Sequence, residues 1–189
     1  MATKFNIQVY LKEIIQIIKY KNFNKTKLEN FKKKIKFCNE QKGKIIFLGN
    51  GGSASTCSHA SVDLTKNAKI KAINLNEANL ITCFSNDYGY SKWMQRGLEF
   101  YCDKNDLVVM FSVSGESPNL INAANWCKQK KINLVTFTGK KKSNSLIKIN
   151  KNSLNFWVKS SSYNIVEAVH HLWILTIVDM IIGKKNYSV

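Results

Sequence analysis

What this chain of 189 residues lacks narrows its class before any motif is considered. Its five cysteines contain no CxxC pair, and such an odd, scattered set fits small core residues in a reducing compartment better than a disulfide framework. No segment reaches the roughly 18 uncharged apolar residues of a membrane span. Charged residues interrupt the apolar N-terminal segment, which therefore lacks the pattern of a signal peptide. We expect a soluble, cytoplasmic protein with no membrane partner.

Arginine and acidic residues are also scarce. Arg96 is the only arginine, and 12 acidic residues against 29 basic ones leave a formal net charge of +17. A basic chain suggests nucleic acid as a partner, but proteins that bind bases and the phosphate backbone favour arginine for its fork geometry. The lysines are instead spread along the whole chain. We therefore do not expect nucleic acid as a partner, although the charge could steer an anionic substrate to its site.

Apolar runs alternate with segments of helical period along most of the chain. Two amphipathic segments, 5–20 and 25–41, precede the first apolar run. Strands that alternate with helices imply parallel pairing. The predicted strands are 44–49, 70–75, 106–114, 132–140 and 154–160, a very apolar helix is predicted at 165–182, and 139–145 is predicted to be a solvated loop.

This pattern predicts an α/β fold, a three-layer α/β/α sandwich with a mainly parallel five-stranded sheet preceded by N-terminal helices. We expect one domain over 1–189, with helices in 1–43 and the α/β core and C-terminal helix in 44–189.

The segment GNGGS, at 49–53, follows the first predicted strand. Glycine at this density loses backbone entropy on folding, so something must approach the backbone closely or require a positive φ. The start of a helix also offers free backbone N–H groups and a favourable dipole to an anion. The spacing matches neither the dinucleotide fingerprint nor the P-loop, so a phosphate outside a nucleotide is the predicted ligand.

A second turn of this kind, SVSGES at 112–117, follows the third predicted strand. Ser117 is a natural N-cap, and Pro118 falls at the first helical position, where its missing N–H is harmless. Ser112, Ser114 and Ser117 would then place hydroxyls around the N-terminus of a helix, which suits a phosphate monoester. The alternative is an ordinary helix cap with unrelated serines.

These turns belong to five segments that together resemble the SIS (sugar isomerase) domain family, in particular its phosphoheptose isomerase branch. The likeness covers nearly the whole chain and follows the order of the family. The segments are GNGGSAS and HASVDLT within 49–65, SNDYGY at 85–90, SVSGESPNLINA at 112–123, LVTFTGK at 134–140, and VEAVHHLWILTIVDMI at 166–181.

The resemblance implies a homotetramer of flavodoxin-like domains that converts sedoheptulose 7-phosphate to D-glycero-D-manno-heptose 7-phosphate or acts on a related sugar phosphate, with zinc in the site. In this family the serine turn holds the phosphate, and the glycine turn and an Asn-Asp pair contact the sugar. The implied substrate-binding residues are Asn50, Gly51, Gly52, Ser53, Asn86, Asp87, Ser112, Val113, Ser114, Ser117 and Glu167.

The acid–base positions depart from the family pattern. The family has Glu where this chain has Asp63, Gln where it has Glu167, and His where it has Leu175. Aldose–ketose isomerisation needs a base near the carbon and an acid or a metal that polarises the carbonyl. Two pairs with i,i+4 spacing could meet across two helices and bind one zinc ion: His59 with Asp63, and Glu167 with His171.

We therefore predict Asp63, Glu167 and His171 as catalytic residues. The predicted metal ligands are His59, Asp63, Glu167 and His171. The alternative for His170 and His171 is simple packing on a buried helix.

Three functions remain open at this point. The first is an isomerase of sugar phosphates. The second is a catalytically silent SIS domain that binds sugar phosphate or bridges proteins. The third, a DNA-associated replication or regulatory factor, is suggested by the net charge.

Overall fold

The structure, a computed structural model, describes residues 5–19 and 25–185. Strands and helices alternate after the first two helices. The helices are α1 (Ile7–Ile18), α2 (Lys25–Glu40), α3 (Gly52–Lys66), α4 (Ala78–Tyr88), α5 (Trp93–Tyr101), α6 (Pro118–Gln129), α7 (Ser145–Ile149) and α8 (Tyr163–Ile182). The strands are β1 (Ile45–Gly49), β2 (Ala72–Asn74), β3 (Leu107–Ser112), β4 (Asn133–Thr138) and β5 (Leu154–Trp157). The predicted first helix extends to position 20, which lies outside the described residues.

The five strands form one sheet in the order β2-β1-β3-β4-β5, and every pairing is parallel. The prediction of a mainly parallel five-stranded sheet is therefore confirmed. Gly49 at the end of β1 pairs with Phe111 near the end of β3. This register brings together the turns that follow β1 and β3.

Helices cover both faces of the sheet. Successive residues of a strand point to opposite faces, so each central strand contributes side chains to two core clusters. Ile45 and Phe47 belong to a core cluster shared with α2, α3 and α8. Ile46 and Leu48 belong to a second cluster, shared with α5, α6 and α7. The three-layer α/β/α arrangement is confirmed.

Helix α8 is long and apolar enough to cross a membrane by length and composition alone. Core helices of soluble proteins have the same properties, and α8 buries eight residues, among them Ile165, Val169 and Ile177, mostly in the cluster beneath the sheet. Its apolar composition is thus explained by packing.

The structure corrects the bounds of the predicted strands and the description of one loop. Strand β2 has three residues rather than six, β3 and β4 have six rather than nine, and β5 has four rather than seven. The segment 139–145 is not simply a solvated loop, because Asn144 is 1% exposed and α7 begins at Ser145. The Asn144 side chain caps α7 by accepting a hydrogen bond from Ile147 N–H (3.1 Å).

Candidate functional site

The glycine turn (49–53) and the serine turn (112–117) lie side by side at the C-terminal edge of the sheet. Two reciprocal amide hydrogen bonds join their neighbourhoods: Asn50 Nδ2 donates to Asn119 Oδ1 (3.1 Å), and Asn119 Nδ2 donates to Asn50 Oδ1 (2.9 Å). Tyr90 donates its hydroxyl to the same Asn50 oxygen (3.3 Å). Ligands of open parallel sheets bind at this edge.

A cavity of about 80 Å³ lies between the two turns and is hereafter called the anion cavity. This volume suits a group of the size of a phosphate rather than a whole sugar, because pockets for complete small ligands measure about 300–1,000 Å³. The lining residues are Asn50, Ser53, Phe111, Ser112, Val113, Ser114, Ser117, Tyr163 and Glu167.

The glycine turn has the backbone geometry that its sequence predicts. Gly51 has φ 55° and ψ −126° and occupies the N-cap position of α3. Gly52, the first residue of α3, lies against Glu167, and a β-carbon there would overlap the Glu167 carboxylate unless that side chain moved. The positive φ explains the glycine at position 51, and the close approach of the Glu167 carboxylate explains the glycine at position 52.

The serine turn leaves hydroxyl protons available to a ligand. Ser112 Oγ accepts a hydrogen bond from Gly115 N–H (3.0 Å), and Ser114 Oγ accepts one from Glu116 N–H (3.1 Å). Since both oxygens act as acceptors, each O–H remains able to donate. Ser117 occupies the predicted N-cap of α6 but makes no side-chain cap hydrogen bond, so its hydroxyl also remains for the cavity.

Helix α7 and its N-cap residue contact the serine turn at Glu116 and Gly115. The Glu116 carboxylate accepts hydrogen bonds from Ser145 N–H (2.9 Å) and Ser145 Oγ (2.6 Å). The Ser145 hydroxyl is the largest cause that lowers the pKa of Glu116. The Asn144 side chain packs on Gly115, which has φ 67°. The position of the turn therefore depends on α7.

A histidine cluster lies about one helical turn beyond the anion cavity, between α3 and α8. The rings of His59 and His171 meet edge to face with centroids 4.9 Å apart. His59 Nε2 is 3.4 Å from Asp63 Oδ2, and His171 Nδ1 is 3.3 Å from Thr56 Oγ1. The predicted juxtaposition of a His-Asp pair with His171 is thus observed.

The two neighbouring histidines of α8 have different surroundings. Burial, followed by the nearby His59, lowers the pKa of His171, whereas Asp63 raises it. His170 is 1% exposed and lies among Phe111, Phe137 and Trp173. Burial lowers its pKa to about 4. The packing alternative therefore describes His170, while His171 belongs to the polar cluster.

The four predicted metal ligands do not surround one point. The Glu167 carboxylate lies against Gly52, whereas the histidines meet next to Thr56, one turn further along α3. Among residues 5–19 and 25–185, no three His, Cys, Asp or Glu side chains form a group that could hold a metal ion. The observed side chains do not fit a zinc site.

The structure places seven of the predicted substrate-binding residues in the lining of the anion cavity, and Gly51 and Gly52 lie in the chain between two of them, Asn50 and Ser53. Asn86 and Asp87 do not line it. They are exposed at the end of α4, where Asn86 Nδ2 donates to Asp87 Oδ1 (3.0 Å). Their roles, like those of the other site residues, stay predictions.

Sequence reasoning missed several residues of the site, among them Thr56, Phe111, Asn119 and Tyr163. Thr56 could have been found, because it lies four residues after Gly52 and three before His59, on the same face of α3. Asn119 and Tyr163 gave no signal, since their contacts depend on the tertiary arrangement.

Comparison with known families identifies the fold type. A family model for the SIS domain matches residues 9–139. Phosphoheptose isomerase of Cytophaga hutchinsonii is 39% identical over 106 residues, which make up 53% of this chain and 56% of that relative. The enzyme of the same name from Helicobacter pylori is 36% identical over 107 residues, again 53% of this chain and 56% of that relative. The chain spans about half the length of the curated relatives it matches.

Solved structures extend the likeness in fold to almost the whole chain. Phosphoheptose isomerase from Francisella tularensis has a TM-score of 0.86 at 24% identity, over 97% of this chain and 100% of that one. The structure of the enzyme from Neisseria gonorrhoeae has a TM-score of 0.84 at 21% identity, over 93% of this chain and 97% of that one. At these identities the structures show a shared fold.

Proposed function

Because this chain belongs to the SIS domain family, we propose that it is a sugar-phosphate isomerase that interconverts a ketose and an aldose. The names of the relatives and the sequence resemblance favour sedoheptulose 7-phosphate and D-glycero-D-manno-heptose 7-phosphate as the pair. An oligomer of identical chains, a tetramer by the same resemblance, and a cytoplasmic location are parts of this proposal.

One observation carries the proposal: a phosphate-sized cavity opens beside a carboxylate and a histidine cluster. Glu167 lines the cavity, and His171 lies four residues further along the same face of α8. That spacing corresponds to about one turn, roughly 5.4 Å. A sugar held by its phosphate can therefore extend along α3 and α8 past both side chains.

The chemistry requires a base at carbon and an acid at oxygen. In the proposed reaction, the Glu167 carboxylate takes a proton from the carbon next to the carbonyl and returns it to the neighbouring carbon of the enediol. His171, which its lowered pKa keeps neutral near pH 7, transfers a proton between the two oxygens. The N-terminus of α3 favours negative charge at the position of Glu167.

Asp63, the other predicted base, lies further from the anion cavity. It follows Gly52 by eleven residues along α3, which is about 16 Å at roughly 1.5 Å per residue. Its contact with His59 holds that ring against His171. We therefore propose Asp63 as a positioning residue, and its direct role as a base stays a prediction.

Zinc, which the resemblance implies, stays a prediction as well. No step above uses it, because among the described residues no three of the predicted ligands form a group that could hold a metal ion. Metal analysis of the purified protein and turnover with and without added zinc would test this prediction.

The proposal is tested by incubating the protein with sedoheptulose 7-phosphate and following the aldose product by NMR. Glu167→Ala should lower turnover by at least about 100-fold, because general acid–base groups contribute about 10²–10⁴-fold. The control is Glu40→Ala, an exposed glutamate at the end of α2. Absence of product from the wild-type protein, with or without zinc, would refute the proposed activity. Unchanged turnover in Glu167→Ala would remove Glu167 from the mechanism.

A further inference from the structure

A second, larger pocket lies at the same edge of the sheet, beyond the serine turn. Its volume is about 710 Å³, compared with about 80 Å³ for the anion cavity. Lys140 and Lys141 line it from the loop after β4, and Lys159 lines it from the loop after β5. We call it the lysine pocket. Its size falls within the range of small-molecule sites, about 300–1,000 Å³.

The cations of the lysine pocket are available to a ligand. Within the residues that the structure describes, none of its three lysines is in an ion pair. Its two carboxylates already accept hydrogen bonds from serine hydroxyls, Glu13 from Ser160 and Glu116 from Ser145. The lining therefore offers ammonium groups to an incoming anion.

The lysine pocket adjoins the anion cavity at two points. Ser114 lines both of them. Lys140 Nζ lies 4.2 Å from the ring centroid of Tyr163, and Tyr163 lines the anion cavity. A single small ligand can therefore place one group in each site.

We propose that the lysine pocket binds the second phosphate of a bisphosphorylated sugar whose first phosphate occupies the anion cavity. Ammonium groups and hydroxyls are suitable ligands for phosphate. The inference rests on the proposed function for the identity of the first site.

The topology gives such a ligand an inhibitory role. The lysine pocket lies over β4 and β5, whereas the histidine cluster lies between α8 and α3, the helix that follows β1. Because β3 separates β1 from β4, the lysine pocket and the histidine cluster lie on opposite sides of the anion cavity, which Glu167 itself lines. A sugar that bridges the two pockets is directed away from the histidine cluster and competes with the substrate for the anion cavity.

The test compares the affinities of fructose 6-phosphate and fructose 1,6-bisphosphate by calorimetry, since these probes differ by one phosphate. The wild-type protein should bind the bisphosphate at least about tenfold more tightly, because its second phosphate gains charge-assisted hydrogen bonds from the lysines. The double variant Lys141→Gln/Lys159→Gln should lose this preference. The control Lys33→Gln/Lys36→Gln removes the same charge from exposed positions of α2 and should retain it.

Equal affinity of the wild-type protein for the two probes, or an undiminished preference in the Lys141→Gln/Lys159→Gln variant, would overturn the inference. Loss of the preference in the control as well would also overturn it, because the effect would then be one of net charge. Turnover of sedoheptulose 7-phosphate is measured separately. A protein that prefers the bisphosphate but does not turn over sedoheptulose 7-phosphate refutes only the proposed function. A protein that turns over this substrate but does not prefer the bisphosphate refutes only the inference about the lysine pocket.

Discussion

At the scale of single residues, two of the three glycines of the glycine turn, Gly51 and Gly52, have different requirements. Gly52→Ala should displace the Glu167 carboxylate, because the new β-carbon would overlap it, and should lower turnover at least about tenfold. The stability of the fold should change little, because alanine suits the first turn of a helix. Turnover assays and urea denaturation measure the two effects.

Gly51→Ala is the matched control for this prediction. Nothing would contact its β-carbon, but φ 55° strains any residue with a side chain. We expect a loss of about 1–3 kcal/mol in the free energy of unfolding. We attribute the effect of Gly52→Ala to contact with Glu167 and that of Gly51→Ala to backbone strain. If the two substitutions changed turnover equally and stability equally, this distinction would be wrong.

The buried His170 makes the stability of the protein depend on pH. Burial lowers its pKa to about 4 in the folded state, from the 6.5 of an ordinary histidine, so the unfolded chain binds the proton first as the pH falls. The free energy of unfolding contributed by this group is fully present above pH 6.5 and is lost as the pH falls towards 4. The loss is on the order of 3 kcal/mol.

Urea denaturation at several pH values between 7 and 4 measures this loss. His170→Leu and His170→Gln should both lack this part of the pH dependence. The glutamine can still donate to Thr138 O, which His170 Nε2 approaches at 3.2 Å. If the wild-type slope persists in both variants, other groups cause the pH dependence.

At the scale of elements, α7 should control anion binding through the serine turn. Asn144→Ala removes the cap of α7 and the side chain that packs on Gly115. We expect a loss of about 1 kcal/mol in the free energy of unfolding and several-fold weaker binding of a sugar phosphate. Calorimetry with fructose 6-phosphate measures the second effect.

The control for α7 is another asparagine cap. Asn6 caps α1 by accepting hydrogen bonds from Gln8 N–H (3.0 Å) and Val9 N–H (3.2 Å), and it does not line the anion cavity. Asn6→Ala should leave the affinity for the sugar phosphate unchanged. Equal losses of affinity in both variants would show that capping affects the site only through general stability.

The sequence predicted the elements whose pattern is local and left out those that depend on tertiary contacts. Strands β1 and β3 are almost entirely apolar because helices cover both of their faces, and β4 is buried along its last five residues. Helix α7 was missed, since five residues are too few to show a helical period. The lysine-rich stretch before it suggested only a solvated loop.

In the candidate site, too, the features with a local sequence pattern were predicted and those that depend on tertiary contacts were not. Glycine density and the Ser117-Pro118 cap predicted both turns correctly, because backbone geometry leaves a local signal. The contacts of Glu167 with Gly52 and of His171 with His59 join helices more than 100 residues apart in sequence. The i,i+4 spacings indicated which residues share a face, but the relative position of the two helices sets which of them meet.

At the scale of the whole molecule, the charge of +17 accompanies two sites for anions at the carboxyl edge of the sheet. The anion cavity and the lysine pocket both lie at this edge, where the dipoles of α3 and α6 favour anions. A net positive charge raises the rate of encounter with anions such as phosphate esters. The basic composition therefore agrees with a small anionic substrate and does not require DNA.

The exposed face of α1 predicts self-association of the whole molecule. Ile7, Leu11 and Ile15 lie on one face at i,i+4 spacing, and their exposed fractions are 55%, 49% and 52%. The adjacent face, which includes Ile14 and Ile18, packs on the core. An apolar stripe of this kind on a soluble protein marks a contact surface, and a second copy of the chain is the occupant that the proposed oligomer implies.

Light scattering coupled to size-exclusion chromatography tests this prediction by measuring the mass in solution. The wild-type protein should have a multiple of 21.6 kDa, and Leu11→Lys/Ile15→Lys should shift the mass to a smaller species. The control is Phe37→Lys, which changes a 58% exposed side chain on α2. A wild-type monomer, or a double variant of unchanged mass, would show that α1 does not hold the assembly together. Equal dissociation by Phe37→Lys would show that added charge alone separates the subunits, because that substitution leaves the face of α1 intact.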